Sequence, residues 1–565
     1  MRKRVLRKRM AAIILAGCMV MGGLTGCGNS ADSGETETAS SETPESTVQE
    51  PSAEETKEEG EEPAEVSYKV VEGEPVDLSY YGGLLGASST LTSLNDMEIM
   101  QVANDAVNVN VNYVHPATGT ENETFNLRIA SMELEDIMEY SWSSYPGSPT
   151  QAIEDGIIID LAPYLEQGYA PNYKKILDEN PDIAKQVTTD EGQIYAFACI
   201  GDESVNVSSG YIVREDMLNA VGLDAPETVA DWEGMLTAFK DELGEDAPLT
   251  GTMDQIIGAN AWFAGAFGTY SGFYVRDGAV HYGILEDGYR DYIDTMARWY
   301  AAGLIDPEIF GNDGTAVGSN LLNDRSGALF GFIGSGIGTY TNNAQANEGT
   351  NPDFKLIGVQ YPVVNAGDEP EFINRSWDVR TQNMAAITTA CEDIEAAMAY
   401  LDYWYSDEGH MLKNFGIEGL SYEMVDGEPQ YTDLILNNPD GLSVAQALGR
   451  YTRASQPSVG VIDIRYYEGY YQLQEQRDAM TTWNEYADNA LNVLMPTISA
   501  TTEESEELAT LTSSINTYVE EELTKFVMGT RDMSEYDSFV DTLKTMGIER
   551  VIEIKQAGYD RYMAR

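Results

Sequence analysis

Hydrophobic and polar side chains in the body of the chain follow two different spacings. Val76–Tyr81 is an extended apolar run, and residues 107–114 alternate apolar side chains with asparagine, which is the pattern of a half-buried strand. Residues 92–106 and 148–167 instead repeat their apolar positions at the spacing of an amphipathic helix. Short strands that alternate with helices in this way predict an open α/β sheet with crossover helices.

The same alternation continues toward the end of the chain. Residues 210–213 and 328–333 are short apolar runs that are predicted to be strands. In open α/β sheets, ligands sit at the carboxyl ends of strands, and three such predicted ends are rich in aromatic residues, serine and glycine: 80–83, 140–145 and 334–336. Helices are predicted over residues 226–240, 287–302, 392–415, 472–494, 503–527 and 534–546.

The first 25 residues combine a basic segment with an apolar one. Residues 1–10 contain six lysines and arginines and no acid, and residues 11–25 are an apolar run too short for a membrane-spanning helix. This combination is typical of a secretory signal peptide. The run ends Leu24-Thr25-Gly26-Cys27, which resembles the lipobox of bacterial lipoproteins. The resemblance implies that residues 1–26 are a lipoprotein signal peptide and that Cys27 is lipidated.

The segment after Cys27 has a composition unlike that of a folded domain. Residues 28–66 contain almost no large apolar side chains, and thirteen acids between Ala31 and Val66 face the single Lys57. Such a segment buries too little surface to offset its chain entropy. We therefore expect residues 27–74 to comprise the lipidated cysteine and a disordered acidic tether between the membrane and a folded body.

Composition excludes several function classes. The 565 residues contain 33 Lys plus Arg against 94 Asp plus Glu, a formal net charge of −61, which would repel nucleic-acid phosphates. Three scattered histidines give no histidine-built metal site, and four cysteines are too few for a disulfide framework. With Cys18 removed and Cys27 lipidated, Cys199 and Cys391 remain, and the sequence leaves their pairing open.

Several motifs of the body resemble one protein family. Residues 154–164 (EDGIIIDLAPY) and 190–195 (DEGQIY) resemble the N-terminal lobe of extracellular solute-binding proteins of ABC importers. Residues 211–238 are similar to the stretch where such chains enter the second lobe, and 266–310 and 398–422 are similar to segments of that lobe. The last stretch resembles the C-terminal helices of the large carbohydrate-binding lipoprotein subfamily of the family 1 type. Together the motifs extend from about residue 75 to the end of the sequence.

The resemblance implies an α/β, two-lobed periplasmic-binding-protein-like (type II) fold, with hinge crossovers and extra C-terminal helices. The first lobe would contain residues 75–204 and about 335–384. The second would contain 205–334 and about 385–565. The resemblance also implies a monomer without cofactor or enzymatic activity that works with the permease subunits of an ABC transporter.

A sugar-binding cleft needs two kinds of side chain. Aromatic rings cover the C–H faces of sugars, and carboxylates, amides and guanidinium groups bond the hydroxyls. For Trp262, Tyr270 and Trp377, packing in the core is at least as good an explanation as ligand binding. The candidate ligand-binding residues, all on predicted loops, are Tyr81, Trp142, Tyr145, Asp202, Glu203, Trp262, Tyr270, Trp377 and Arg380.

These observations predict a lipid-anchored protein on the extracellular face of a bacterial cell membrane. It would capture a carbohydrate, expected to be an oligosaccharide, in a cleft between its lobes and deliver it to the permease. A peptide-binding importer lipoprotein is an alternative, because such proteins are similarly long. A surface glycoside hydrolase is another, with Asp202 and Glu203 as candidate acids. No P-loop, H-E-x-x-H or C-x-x-C motif occurs in the sequence.

Overall fold

The computed structural model of the protein describes residues 68–201, 206–347, 351–454, 456 and 458–565. The predicted signal peptide (1–26), Cys27 and most of the predicted tether lie outside these residues, and so do the candidate ligand residues Asp202 and Glu203. None of the helices in the described part of the chain combines the length and the apolar character needed to span a membrane.

Strands and helices alternate through the described residues, as the sequence predicts. The strands are β1 (Val76–Tyr81), β2 (Val109–Val114), β3 (Ile137–Tyr140), β4 (Phe197–Ile200), β5 (Ser209–Arg214), β6 (Phe273–Arg276), β7 (Ala279–Tyr282), β8 (Ala328–Phe332), β9 (Leu356–Val359), β10 (Val379–Ile387), β11 (Tyr422–Val425), β12 (Glu428–Tyr431) and β13 (Gly460–Val461). The first ten α-helices are α1 (Glu98–Val107), α2 (Glu121–Ser131), α3 (Ser148–Glu154), α4 (Ala162–Glu166), α5 (Pro171–Glu179), α6 (Pro181–Val187), α7 (Glu215–Val221), α8 (Val229–Ala238), α9 (Met253–Ile257) and α10 (Asp287–Ala301). The others are α11 (Gly314–Leu322), α12 (Thr339–Ala346), α13 (Ile394–Tyr403), α14 (Asp407–Phe415), α15 (Asp433–Leu436), α16 (Val444–Tyr451), α17 (Ile464–Tyr470), α18 (Gln474–Asn484), α19 (Thr502–Val527), α20 (Tyr536–Met546) and α21 (Ile548–Ala564).

The larger sheet has six strands in the order β13-β4-β10-β3-β1-β2. β1 is parallel to β2 and β3, whereas β10 is antiparallel to both β3 and β4, and β13 is parallel to β4. It follows that β1, β2, β3, β4 and β13 all point the same way. Their carboxyl ends therefore meet at one edge of the sheet, beside the start of β10, and this edge is where a ligand site is expected.

A second sheet has three strands in the order β8-β5-β9, with both neighbours antiparallel to β5. Ser209 at the start of β5 pairs with Phe332 at the end of β8. All six residues of β5 are buried, because helices cover both faces of this sheet. The residues between β4 and β5 carry the chain from the larger sheet to the second, so the end of β8 lies close to this crossing.

Two separate cores define the two lobes. One contains buried residues of β1–β4, β10 and α13, such as Leu78, Phe197 and Leu401. The other contains buried residues of β5, β8, β9 and helices on both sides, such as Ile212 and Trp299. The chain passes between the lobes at residues 201–208, at 360–378, and again after β13 through α17 to α18.

The sequence-based lobe boundaries are wrong for the returning segments. The prediction placed 335–384 in the first lobe, but β9 pairs with β5 in the second sheet. It also placed 385–565 in the second lobe, whereas β10 continues to Ile387 between β3 and β4, and α13 packs into the first core. Strands of both sheets have the same apolar composition, so the sequence pattern carries no information about which sheet a strand joins.

Most predicted helices are present. α8, α10, α19 and α20 match the expected ranges to within a few residues. The helix expected over 392–415 is instead two, because Ser406 adopts extended backbone and its side chain accepts a hydrogen bond from the amide of Gly409, which caps α14. α18 ends at Asn484, ten residues before the predicted end.

Cys199 and Cys391 are both free thiols and both are buried. Cys199 lies in β4, and Cys391 follows β10. Burial raises the pKa of each thiol, to about 12 for Cys391.

The second sheet packs so closely on α18 that β5 needs a glycine. A Cβ atom on Gly210 would lie 2.4 Å from the indole of the fully buried Trp483. We therefore expect Gly210→Ala to destabilise the protein by about 1–3 kcal/mol, the usual cost of overpacking a core. Urea unfolding measures the change.

Gly234→Ala in α8 is the matched control, because nothing lies within 4 Å of its Cβ position. The same substitution there should be neutral or stabilise by up to about 1 kcal/mol through helix propensity. Equal stability of Gly210→Ala and the wild type would contradict the close packing.

Candidate functional site

Arg380 lies at the edge where the parallel strands of the larger sheet end. It pairs with Cys199 of β4, and a Cβ atom on Gly201 would be 2.9 Å from its Nη2. Its Nη1 donates to the carbonyl of Trp377 at 2.7 Å, and Nη2 donates to Oδ1 of Asn206 at 3.1 Å. The guanidinium group is thus held over the carboxyl end of β4. Among the described residues no carboxylate forms an ion pair with Arg380, whose guanidinium carries five N–H donors.

The second lobe contributes an exposed aromatic ring to the same region. Phe332, the last residue of β8, is 53% exposed, although aromatic side chains of this protein are mostly buried. It pairs with Ser209, where the chain has just crossed from the first lobe. A large apolar ring exposed at a strand end is a candidate contact for a ligand.

A cluster of tyrosines from α17 lies against the segment that follows Phe332. A Cβ atom on Gly334, two residues beyond Phe332, would be 2.6 Å from the phenol oxygen of Tyr470. The rings of Tyr466 and Tyr467 are 4.6 Å apart, and those of Tyr466 and Tyr470 are stacked at 5.8 Å. Burial raises the pKa of Tyr470, so its phenol stays protonated and remains a hydrogen-bond donor. Tyr467 and Tyr470 are only partly buried and pack against the second core.

Hydrogen bonds of Asp463 and ion pairs of Arg465 hold the start of α17 in place. The Asp463 side chain accepts from the amide of Arg465 and lies 2.8 Å from Nε2 of His410 in α14. The Arg465 guanidinium also bonds both oxygens of Asp463. Although burial raises the pKa of Asp463, the hydrogen bonds from His410 and Arg465 outweigh it and hold the pKa below its usual value. The carboxylate is therefore ionised, and it anchors the tyrosines.

The structure does not bring the seven described residues of the nine predicted ones into one site. Asp202 and Glu203 lie outside the described residues. Trp142 and Tyr81 are buried in the first core, and the Trp142 indole donates to the carbonyl of Met138 at 3.1 Å. Residues that follow a strand can fold back into the core, and this is what Trp142 does.

Tyr145 follows the end of β3, whereas Trp262 and Tyr270 belong to the second lobe. Tyr145 lines a cavity of about 560 Å³ together with residues 498–509. Its pKa is raised to about 12, mainly by burial and to a lesser extent by its hydrogen bond to Asp155. Tyr270 stacks on the buried Trp262 with ring centroids 4.7 Å apart and lines a cavity of about 380 Å³ in the second lobe. The packing alternative noted for Trp262 agrees with its position in the second core.

Trp377 lines a larger cavity, of about 850 Å³, where the chain crosses between the lobes. Lys185 and Gln186 of the first lobe form one wall, and Asn484 and Tyr562 of the second lobe form another. The Trp377 indole donates to the carbonyl of Met495 at 3.0 Å. This cavity and the strand ends around Arg380 adjoin the same crossing, because Arg380 bonds the Trp377 carbonyl.

Sequence reasoning missed Phe332, Tyr467 and Tyr470. The available signals were the predicted strand at 328–333, which ends beside Phe332, and the sequence YYEGYY at 466–471. Among the described residues, no group of three or more His, Cys, Asp or Glu side chains is arranged to hold a metal ion.

Comparison with known proteins gives the same family throughout. The family model of the bacterial extracellular solute-binding proteins matches residues 93–411, more than half of the chain. The fructooligosaccharide ABC transporter substrate-binding protein FusA of Streptococcus pneumoniae is 24% identical over 471 residues, which cover 78% of this chain and 83% of FusA. Lipoprotein LipO of Bacillus subtilis is 21% identical over 435 residues, covering 75% of this chain and 81% of LipO.

Solved structures share the fold. The alginate-binding protein AlgQ2 without calcium ion superposes with a TM-score of 0.70 at 23% identity, covering 88% of this chain and all of that one. A solute-binding protein for HMO from Bifidobacterium longum infantis gives 0.70 at 18% identity, covering 87% and 99% of the two chains. FusA in complex with kestose gives 0.67 at 21% identity, covering 86% and 99%. With its two cores and its three crossings, the chain belongs to the family of bacterial extracellular solute-binding proteins and has their two-lobed fold.

Proposed function

We propose that the protein captures an oligosaccharide between its lobes and delivers it to the permease subunits of an ABC transporter. The observation that carries the proposal is the exposed Phe332 at the end of β8, next to the Gly334–Tyr470 contact. An aromatic ring can cover the C–H face of a sugar, and the phenols of Tyr467 and Tyr470 can bond its hydroxyls.

The first lobe supplies the opposite side of the proposed site through Arg380. Those of its N–H groups that bond no described residue can donate to sugar oxygens at the carboxyl end of β4. A ligand held by Phe332 on one lobe and by Arg380 at the edge of the other would favour the closed arrangement, because only contacts that differ between open and closed forms shift that equilibrium. Asp202 and Glu203 follow β4 directly in the sequence and stay candidates for the same site.

The relatives support a carbohydrate as the ligand. FusA is described as a fructooligosaccharide transporter protein and has been solved with kestose, and AlgQ2 is described as alginate-binding. We further propose that Cys27 is lipidated after removal of residues 1–26, so that the protein is anchored on the extracellular face of the membrane as a monomer. LipO, a relative of similar coverage, is described as a lipoprotein.

A thermal-shift screen of the purified protein tests the ligand class. We expect a saccharide among kestose, longer fructans, alginate oligomers and milk oligosaccharides to raise the melting temperature. A ligand concentration of about 100 times the dissociation constant adds about 2.7 kcal/mol to the free energy of unfolding. We expect a micromolar dissociation constant, which corresponds to a binding free energy of about 8 kcal/mol. Peptides of three to six residues serve as the comparison panel. A shift with peptides and none with saccharides would replace the carbohydrate proposal with the peptide-binding one.

Two substitutions test the proposed site. Phe332→Ala and Arg380→Gln should each weaken saccharide binding about tenfold, or by about 1.4 kcal/mol, as measured by calorimetry, because each removes a contact from a different lobe. Leu127→Ala in α2 is the control, since Leu127 is an equally accessible apolar side chain, 63% exposed. Unchanged affinity in both variants would contradict the proposed site and would favour the cavity beside Trp377 as the binding site.

An incubation experiment tests the enzymatic alternative. We expect no product when the protein is held with the saccharides that bind, because members of this family are solute-binding proteins. Hydrolysis that disappears in Glu203→Gln would overturn this expectation and identify a glycoside hydrolase.

A further inference from the structure

The C-terminal helix α21 belongs to the second lobe but reaches the first. Ile548 and Val551 at its start are buried in the second core. Arg561 in its last turn and Arg565 directly after it instead contact Asp190, which lies between α6 and β4 of the first lobe. Both lobes are therefore joined at a point that is separate from the three chain crossings.

Asp190 is the centre of this contact. Its Oδ2 accepts from Nε of Arg561 at 2.7 Å, and its Oδ1 accepts from Nε of Arg565 at 2.9 Å. Nη1 of Arg565 also donates to the carbonyl of Lys185 at 2.9 Å. The side chains of Asp190 and Arg565 are only 15% and 9% exposed. Charge-assisted bonds between two arginines and one largely buried carboxylate are stronger than an exposed ion pair.

Arg561 is held rigidly on its own lobe. Its Nη2 donates to Glu504 at 2.6 Å and to the carbonyl of Ser499 at 2.9 Å. Glu504 in turn accepts from the amide of Thr501 in the capping box that starts α19. The guanidinium group is therefore already ordered before it contacts Asp190, so the contact costs little side-chain entropy.

A second contact lies beside the first. The Thr502 hydroxyl at the start of α19 bonds the Gln151 side chain of α3 in the first lobe. Gln151 is placed there by the turn at Gly147, whose φ of +79° favours glycine. Both contacts involve α19, since its Glu504 holds Arg561 and its Thr502 bonds Gln151. The two contacts therefore form one continuous interface between the C-terminal helices and the first lobe.

We infer that Asp190, Arg561 and Arg565 form an interlobe latch that fixes the relative orientation of the two lobes in the ligand-free protein. A rotation about the crossings moves α21 relative to the segment of Asp190 and must break these bonds. Their free energy is thus part of the difference between the conformers, and any ligand that favours another orientation has to overcome it. The 850 Å³ cavity lies next to the latch, between Lys185 and Tyr562, and its width depends on the same rotation.

Small-angle X-ray scattering of the ligand-free protein tests the latch. We expect Asp190→Asn and Arg561→Gln to shift the radius of gyration in the same direction, and the double variant to shift it no further than either single change. Asp178→Asn in α5 removes the same charge from the first lobe at a site whose ion pair, with Lys174, lies within that helix. Arg550→Gln in α21 removes an arginine that pairs with Glu507 inside the second lobe. Both controls should scatter as the wild type does.

Scattering that is identical in the wild type and in the latch variants, with unchanged circular dichroism, would overturn the inference. None of these measurements involves a ligand, so their outcome is independent of the proposed function.

Discussion

The insertion of β10 between β3 and β4 is the interaction on which the two-lobed architecture depends. Ala385 of β10 pairs with Glu139 on one side and with Phe197 on the other. Because the second sheet is built from chain that lies between β4 and β10, the chain has to leave the first lobe, form β5 to β9, and return. The return brings the start of β10 to the carboxyl ends of the parallel strands. Arg380 is consequently held at the edge that faces the other lobe, and the first two crossings are direct results of the strand order.

The candidate site combines rigid supports with side chains that are at least partly accessible to a ligand. Gly201 and Gly334 have no side chain where Arg380 and Tyr470 pack against them. Asp463 holds α17 against His410 of the first lobe, while Phe332 extends from the end of a buried strand. Such supports fix the positions of ligand-contacting groups before a ligand arrives, which reduces the entropy lost on binding. The lobes can then move as bodies while each half of the site keeps its geometry.

The sequence was sufficient for the fold class, for most elements and for the family, but it could not assign every strand or site residue. The spacing of apolar residues indicates whether a segment is a helix or a strand and which face is buried. For this reason the sequence predicts β2, α10 and α19 well. It does not report a partner strand, and the prediction therefore failed at β9. The position of an aromatic residue after a strand does not determine whether its side chain is buried or exposed. Trp142 folds into the core whereas Phe332 stays exposed, and this difference depends on neighbours such as Phe125, 5.3 Å from the Trp142 ring, that are distant in sequence.

The two unpaired cysteines of the body have a chemical consequence outside the cell. Oxidants and disulfides react with the thiolate form of cysteine and need access to the sulfur. Cys199 and Cys391 are buried, and burial disfavours the thiolate of each. Packing therefore protects both sulfurs from oxidation and from mixed disulfides in an environment that favours such reactions. Packing in the first lobe thus provides redox resistance without a disulfide bond, and this resistance lasts only as long as the lobe stays folded.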